Sequence, residues 1–309
     1  MKPIVSIVMP VFNAEKTLER VVKSFQAQTL ADWELIAVND GSTDRSLDVL
    51  CQLAANDDRI VVIDKPNGGV ASARQAGIDR VSGKYSIHAD SDDWVEPEML
   101  ERMVAKAEAT DADLVIADYF IDIDRQEPRI VRQKPDSLDS KDVLYAIYDK
   151  KLFGGLCHKL LRTALYEKAS AKFIPGIDFC EDVLLLTQIL AKLDLNIVYI
   201  PEAFYHYVMT DSSLTRNITR KGFDRMLRFN AAFPVMLPDE PRFNDFACKS
   251  ELDTFIMGFV NRVFPNREIK QEFAKVKQYA YRSFGLRWRI GFFFIQLGAY
   301  GIARKFIKF

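Results

Sequence analysis

Two short acidic clusters, each closing an apolar run, constrain this chain most. Val38-Asn39-Asp40-Gly41-Ser42-Thr43-Asp44 ends the run from Trp33, and Ala89-Asp90-Ser91-Asp92-Asp93 ends the run from Tyr85. Apolar runs this short, bounded by turn residues, read as buried strands. The clusters then sit at strand carboxyl ends, the edge at which open α/β sheets bind ligands. Two acidic clusters on one edge suggest a site for a nucleotide and a divalent metal.

The rest of the N-terminal region supports such a sheet. Ile4 to Met9 is β-branched and apolar, a central parallel strand ended by Pro10-Val11-Phe12-Asn13. Ala14 to Thr29 has helical spacing, with Leu18, Val21, Val22 and Phe25 on one face. Thr43 and Asp44 can cap a helix running to about Ala55. Strands at Ile60–Asp64 and Asp113–Ala117, an Ala-rich helix at Val70–Val81 and a helix opened by Pro97 continue the alternation. That pattern predicts a mostly parallel central sheet flanked by crossover helices. Asp122 to Lys141 is polar and predicts a surface excursion. Tyr145 to Ser170 predicts a helix broken at Gly154-Gly155, and Phe173 to Ile177 an extended segment. Glu181 to Leu193 predicts a helix, Ile197 to Tyr207 a strand interrupted at Pro201, and the chain beyond Lys221 helices to the end.

Bulk properties exclude several classes. A net charge of −1 gives no case for nucleic acid. Cys51, Cys157, Cys180 and Cys248 are scattered, the pattern of reduced cytosolic thiols. The N-terminus has no leader pattern, and no apolar stretch reaches the roughly 18–20 residues of a membrane span, so the expected location is cytoplasmic. No G-x-G-x-x-G follows the first strand. Gly77 to Lys84 is one residue too long for a P-loop and is followed by Tyr85 rather than Ser or Thr.

Four motifs, in order and spacing, resemble the inverting family-2 glycosyltransferases of the GT-A fold, of the bacterial cell-surface polysaccharide type. They are P-V-F-N at Pro10–Asn13, V-N-D-G-S-T-D at Val38–Asp44, N-G-G-V-A-S-A-R at Asn67–Arg74 and A-D-S-D-D at Ala89–Asp93. The resemblance spans about residues 3–215. It implies a catalytic GT-A domain over 1–220, divided into a nucleotide-sugar half at 1–120 and an acceptor half at 121–220. Residues 221–309 would form a helical extension. It implies a hexosyl or hexosaminyl donor on a nucleotide diphosphate (UDP by preference), a divalent metal (Mn²⁺ or Mg²⁺), and an acceptor hydroxyl on a saccharide or lipid-linked saccharide. The rivals are a nucleotidyltransferase, which would want a Gly-rich basic loop after strand one, and an inactive nucleotide-sugar-binding or scaffold protein.

Each motif also has a structural reading. Asp40 could form an Asx-turn; by resemblance it accepts the uracil N3–H, with Pro10 and Phe12 flanking the base. Asn67 could belong only to a tight turn and Arg74 to a salt bridge; by resemblance both hold the nucleotide. Gln75 stands where the family often has Asn. Asp90 and Asp92 alternate to one side, and hard cations take such oxygen ligands. By resemblance Asp92 ligates the metal and Asp90 meets ribose or metal-bound water. Glu181-Asp182 could compensate a helix dipole. With Phe173 and Gly176 they resemble the family's F-x-x-G…E-D segment, which makes Asp182 the base and Glu181 its alternative or an acceptor-orienting group. His206, between tyrosines, could be packed or hydrogen-bonded; by resemblance it lies near metal and diphosphate. Val208 stands where relatives carry Arg, which Arg216 or Lys221 could replace. Lys159 by resemblance lines the acceptor side. His88 receives no role.

The end of the chain is distinctive. No acidic residue follows Glu272, whereas eight cations do. Residues 282–309 interleave aromatics with these cations. The segment predicts peripheral attachment to the cytoplasmic membrane face, or else a helix packed on the catalytic domain or a homodimer seam.

Overall fold

The computed structural model describes residues 2–209 and 220–307. The chain divides into two compact units, Met1–Thr210 and Asp211–Phe309.

In the first unit the apolar runs become adjacent parallel strands: β1 (Val5–Val11), β2 (Trp33–Asp40), β3 (Ile60–Lys65) and β4 (Tyr85–His88). They lie in the order β3-β2-β1-β4, all in parallel register. Helices α1 (Leu18–Gln26), α2 (Ser46–Ala54) and α3 (Val70–Ile78) are the crossovers. Leu18, Val21, Val22 and Phe25 of α1 are all buried, as their spacing requires. Each stabilises the fold by about 2 kcal/mol through area removed from water. Across the sheet, Ala73 of α3 packs on Ile36 and Val38. Gly77 permits this approach, since a Cβ there would lie 2.5 Å from Val8 Cγ1.

Beyond β4 the sheet becomes mixed. The order continues β4-β8-β6-β9-β5, with β7 paired to β6. These strands are β5 (Trp94–Val95), β6 (Leu114–Ile123), β7 (Arg129–Val131), β8 (Lys159–Arg162) and β9 (Ile197–Met209). The helices α4 (Met99–Thr110), α5 (Ser140–Tyr148), α6 (Leu165–Lys168) and α7 (Glu181–Leu190) connect them. β6 and β9 are parallel, whereas β8 runs antiparallel to both β4 and β6.

Several expected elements change. Tyr145 to Ser170 is not one broken helix: α5 ends at Tyr148 and β8 enters the middle of the sheet. Leu160-Leu161 suits either period, and a buried lysine at the strand start conceals it. The expected excursion at Asp122–Lys141 contains the end of β6, all of β7 and the start of α5. β9 passes through Pro201 without a break. A register shift pairs Ala117 with Ile200 but Asp118 with Ala203, so the proline lies in a bulge where it owes no ladder bond. Phe173 to Ile177, expected to be extended, contains a turn at residues 175–176.

The second unit is helical: α8 (Arg220–Ala232), α9 (Asn244–Val260), α10 (Asn266–Ser283), α11 (Leu286–Leu297) and α12 (Tyr300–Phe306). Phe223, Phe255, Phe259, Phe273 and Phe292 build its core. Among the described residues no helix is long and apolar enough to cross a membrane. All four cysteines are free thiols.

Candidate active site

The loops after β1 and β2 are stitched together by their own motif residues. Asn13 Oδ1 accepts from Thr43 N at 2.8 Å, and Asn13 N donates to Ser42 Oγ at 3.0 Å. Asp44 accepts from Glu15 N and from Ser46 N and Oγ, so it braces one loop and holds the first residue of α2. Asp40 is nearly fully buried. Its Oδ1 accepts from Lys65 Nζ at 2.6 Å and Gly68 N at 2.9 Å, and its Oδ2 from Gly69 N at 2.8 Å. Asn67 Nδ2 donates to the Asp40 carbonyl at 2.7 Å. Gly69 holds φ at 88°, a left-handed value that suits glycine. Pro10 is buried in β1, whereas Phe12 is 52% exposed beside these loops' edge of the sheet.

The second cluster gathers around one cation. Arg74, on α3, is buried. Its Nη2 donates to Asp90 Oδ1 at 2.7 Å, and its Nε lies 3.4 Å from Glu181 Oε1 and 3.6 Å from Asp182 Oδ1. Burial alone would lower its pKa, but Asp182, Asp90 and Glu181 together raise it. The guanidinium therefore joins the D-x-D loop to the start of α7.

Helix α7 is placed by contacts to α3. Phe173 N donates to Gln75 Oε1 at 2.8 Å, and Ala71 N donates to Asp178 Oδ1 at 3.1 Å. Gln75, where the family prefers Asn, thus anchors the segment that leads to Glu181. Burial, and then the charge of Asp182, push Glu181 up to about 7. Burial also raises Asp182, against the pull of Arg74. Asp182 Oδ2 accepts from Leu156 N at 3.2 Å, while Oδ1 is buried with no hydrogen-bond partner.

Asp90 and Asp92 follow β4. The Asp90 amide donates to Tyr205 Oη, which itself donates to Asp93 Oδ2 at 2.6 Å. Asp93 also accepts from Val208 N and fastens the loop to β9. Asp92 forms no ion pair among the described residues, and its carbonyl accepts from Arg20 Nη2. Burial and the charge of Asp90 raise its pKa. No group of three metal-ligating side chains occurs among the described residues. Asp90 and Asp92 would therefore hold a divalent ion only with further oxygens from phosphate and water, as Mg²⁺ commonly is held. The donor set fits: Asp90, Asp92, Glu181 and Asp182 lie around Arg74 and the adjacent loop, and burial pushes the last three toward protonation.

Three residues stand differently from their sequence reading. His206 is stacked between Trp94 and Phe120, with ring centroids 3.5 and 4.2 Å away. Its Nδ1 meets Asp122 at 2.9 Å and its Nε2 meets Glu96 at 3.0 Å. Both nitrogens are engaged, which is the packed, hydrogen-bonded reading of this residue. Lys159 lines no open face. It is fully buried, and its Nζ donates to the carbonyls of Phe153 and Gly155 at 2.7 Å each. Burial lowers it to about 7. His88 does have a place: Nδ1 lies 3.3 Å from Arg74 Nη1 and Nε2 3.1 Å from Tyr166 Oη. Burial, and then Arg74, hold it well below its ordinary range, so it is neutral. Arginine can only donate, so Nδ1 accepts and Nε2 carries the proton. His88 lies two residues before Asp90, and strand alternation puts both on one side; that signal was in the sequence. Arg216 falls outside the described residues, as does the side chain of Lys221.

The profile described as Glycosyl transferase family 2 matches residues 6–171, more than half of the chain. The chain belongs to that family. Among its curated relatives, EpsJ of Bacillus subtilis (strain 168), an uncharacterized glycosyltransferase, is 30% identical over 83% of this chain and 75% of its own length. The putative glycosyltransferase EpsH of the same strain is 29% identical, over 82% and 74%. Among solved structures, S. aureus TarS 1-349 in complex with UDP-GlcNAc superposes with a TM-score of 0.69 at 16% identity, covering 99% of this chain and 90% of that one. That likeness is one of fold, and the fold is GT-A. This family-2 glycosyltransferase carries the four motifs at the carboxyl ends of β1 to β4 and at the start of α3.

Proposed function

We propose that this family-2 glycosyltransferase inverts the anomeric centre, moving a sugar from a UDP-linked donor to a hydroxyl of a saccharide or lipid-linked saccharide. The observation that carries the reading is Asp182 Oδ1. It is a buried carboxylate oxygen without a hydrogen bond, 3.6 Å from the same guanidinium that holds Asp90. A group so placed can take a proton.

Asp182 accepts the proton of the acceptor hydroxyl as that oxygen attacks C1 from the face opposite the diphosphate. The new C1–O bond forms as the bond to the diphosphate breaks, and the proton ends on Asp182. Burial raises its pKa, while Arg74 and the Leu156 amide pull it back toward the ionised form. Glu181, titrating at about 7, can accept or donate and so suits holding the acceptor. Asp92 and Asp90 would hold Mg²⁺ or Mn²⁺, which when bound neutralises charge on the diphosphate. At the other end Phe12 offers an exposed ring to the base. Asp40 uses three of its four acceptor positions internally, which leaves one on Oδ2 for the uracil N3–H. The similar TarS 1-349, solved in complex with UDP-GlcNAc, favours uridine.

The test is to incubate the protein with α-linked UDP-sugars and Mn²⁺, and to read the first-formed product anomer by NMR. The expected product is β. An α product, or nucleotide release that persists in both Asp92→Ala and Asp182→Ala, would overturn the reading.

A further inference from the structure

Helix α11 is apolar on two opposite sides. Gly291, Phe292 and Ile295 turn inward and are buried; the Phe292 ring packs on Phe273 with centroids 5.5 Å apart. At 3.6 residues per turn, Leu286, Ile290, Phe293 and Leu297 fall on the other side, within an arc of about 60°. Leu286 is 76% exposed, Phe293 53% and Leu297 60%. A helix that served only to pack on its own unit would carry polar residues there. Single exposed leucines need no explanation, but a stripe along three turns does.

Charge decides what the stripe fits. Arg287 and Arg289 lie about 90° and 70° to either side of its centre, and both are exposed. Neither pairs with a carboxylate among the described residues. Arg289 Nε donates to the Phe284 carbonyl, which leaves its charge unneutralised. Helix α12 adds exposed Ile302 and Lys305. No Asp or Glu follows Glu272 to offset these cations. A two-fold pairing of this surface with a second copy would set like charges against each other. An apolar layer beneath anionic headgroups is complementary to both features at once.

We propose that the outer stripe of α11 docks this glycosyltransferase on an anionic membrane surface. Leu286, Phe293 and Leu297 enter the apolar layer, and Arg287 and Arg289 meet the headgroup phosphates. The test is sedimentation of the full chain with phosphatidylglycerol-rich vesicles and with pure phosphatidylcholine vesicles. Binding is expected to the first and little to the second. Arg287→Gln/Arg289→Gln should lower the partition about 25-fold, near fivefold per cation. Phe293→Ser/Leu297→Ser should lower it with an unchanged melting curve; if that pair fails to fold, the arginine pair decides alone. Equal binding to both vesicle types, or an arginine pair without effect, would overturn the proposal. So would a wild-type dimer that Phe293→Ser/Leu297→Ser turns into a monomer.

Discussion

The two acidic motifs of this glycosyltransferase occupy one sheet edge yet are built to opposite rules. Around Asp40 nearly every polar group has a partner: a lysine, two glycine amides and an asparagine close on one aspartate. Around Arg74 one cation faces Asp90, Glu181 and Asp182, with unbonded polar atoms left over. The first region holds a shape. The second holds uncompensated charge, which is what a site needs if it is to attract a cation and accept a proton. Buried groups in such a cluster hold their unusual protonation only because the fold keeps them there.

Substitutions at four positions can break or sharpen this contrast. Arg74→Met should have the largest effect, since it strands three carboxylates; a loss of about 3–5 kcal/mol is expected by thermal or urea unfolding, with activity gone. Arg74→Lys should not rescue it, because a point charge cannot span the Asp90 and Glu181 sides. A melting temperature unchanged in Arg74→Met would show that the cluster does not depend on the cation.

Lys159→Met should act next. Without the ammonium, the Phe153 and Gly155 carbonyls lose their donor, and the Leu156 amide beside them drifts from Asp182. The expected result is a fall in kcat of up to about 10²-fold with the donor KM little changed. A rise in KM alone would place Lys159 at the donor instead. Asp40→Asn should be milder, costing about 1–3 kcal/mol through its lost charge-assisted bonds, and it should raise the donor KM rather than lower kcat.

The smallest effect is in pH. Glu181 is raised in the folded protein from 4.5 to about 7, so its contribution to stability is full below pH 4.5 and lost as pH rises through 7. Lys159 is lowered from 10.5 to about 7, so its penalty is present at low pH and fades as pH rises from 7 toward 10.5. Glu181→Gln should flatten the melting-temperature slope between pH 4.5 and 7 and leave the slope above it intact. An unchanged slope in the lower window would refute the assignment to Glu181.

Much of this was legible in the sequence. The strands β1 to β4 are short apolar runs ended by turn residues, and the acidic motifs mark their ends. Arg74 stands out as a long cation within the Ala-rich part of its helix, and the structure gives it Asp90, Glu181 and Asp182 as partners. What stayed hidden depends on partners distant in sequence. β8 begins with a lysine whose charge is met by carbonyls six and four residues earlier, so composition argues against a buried strand. His206 resembles a ligand until Asp122 arrives from β6 and Glu96 from the segment after β5. The role of His88 needs Tyr166, which comes from α6, 78 residues away in sequence.

The claim at the centre is that Asp182 takes the acceptor's proton within the cluster joined by Arg74. The most direct measurement is the rate of sugar transfer by Asp182→Asn at saturating donor, with donor affinity measured in parallel. The account predicts a fall of about 10²–10⁴-fold with affinity retained. Transfer at the wild-type rate in a folded, donor-binding Asp182→Asn protein would contradict it.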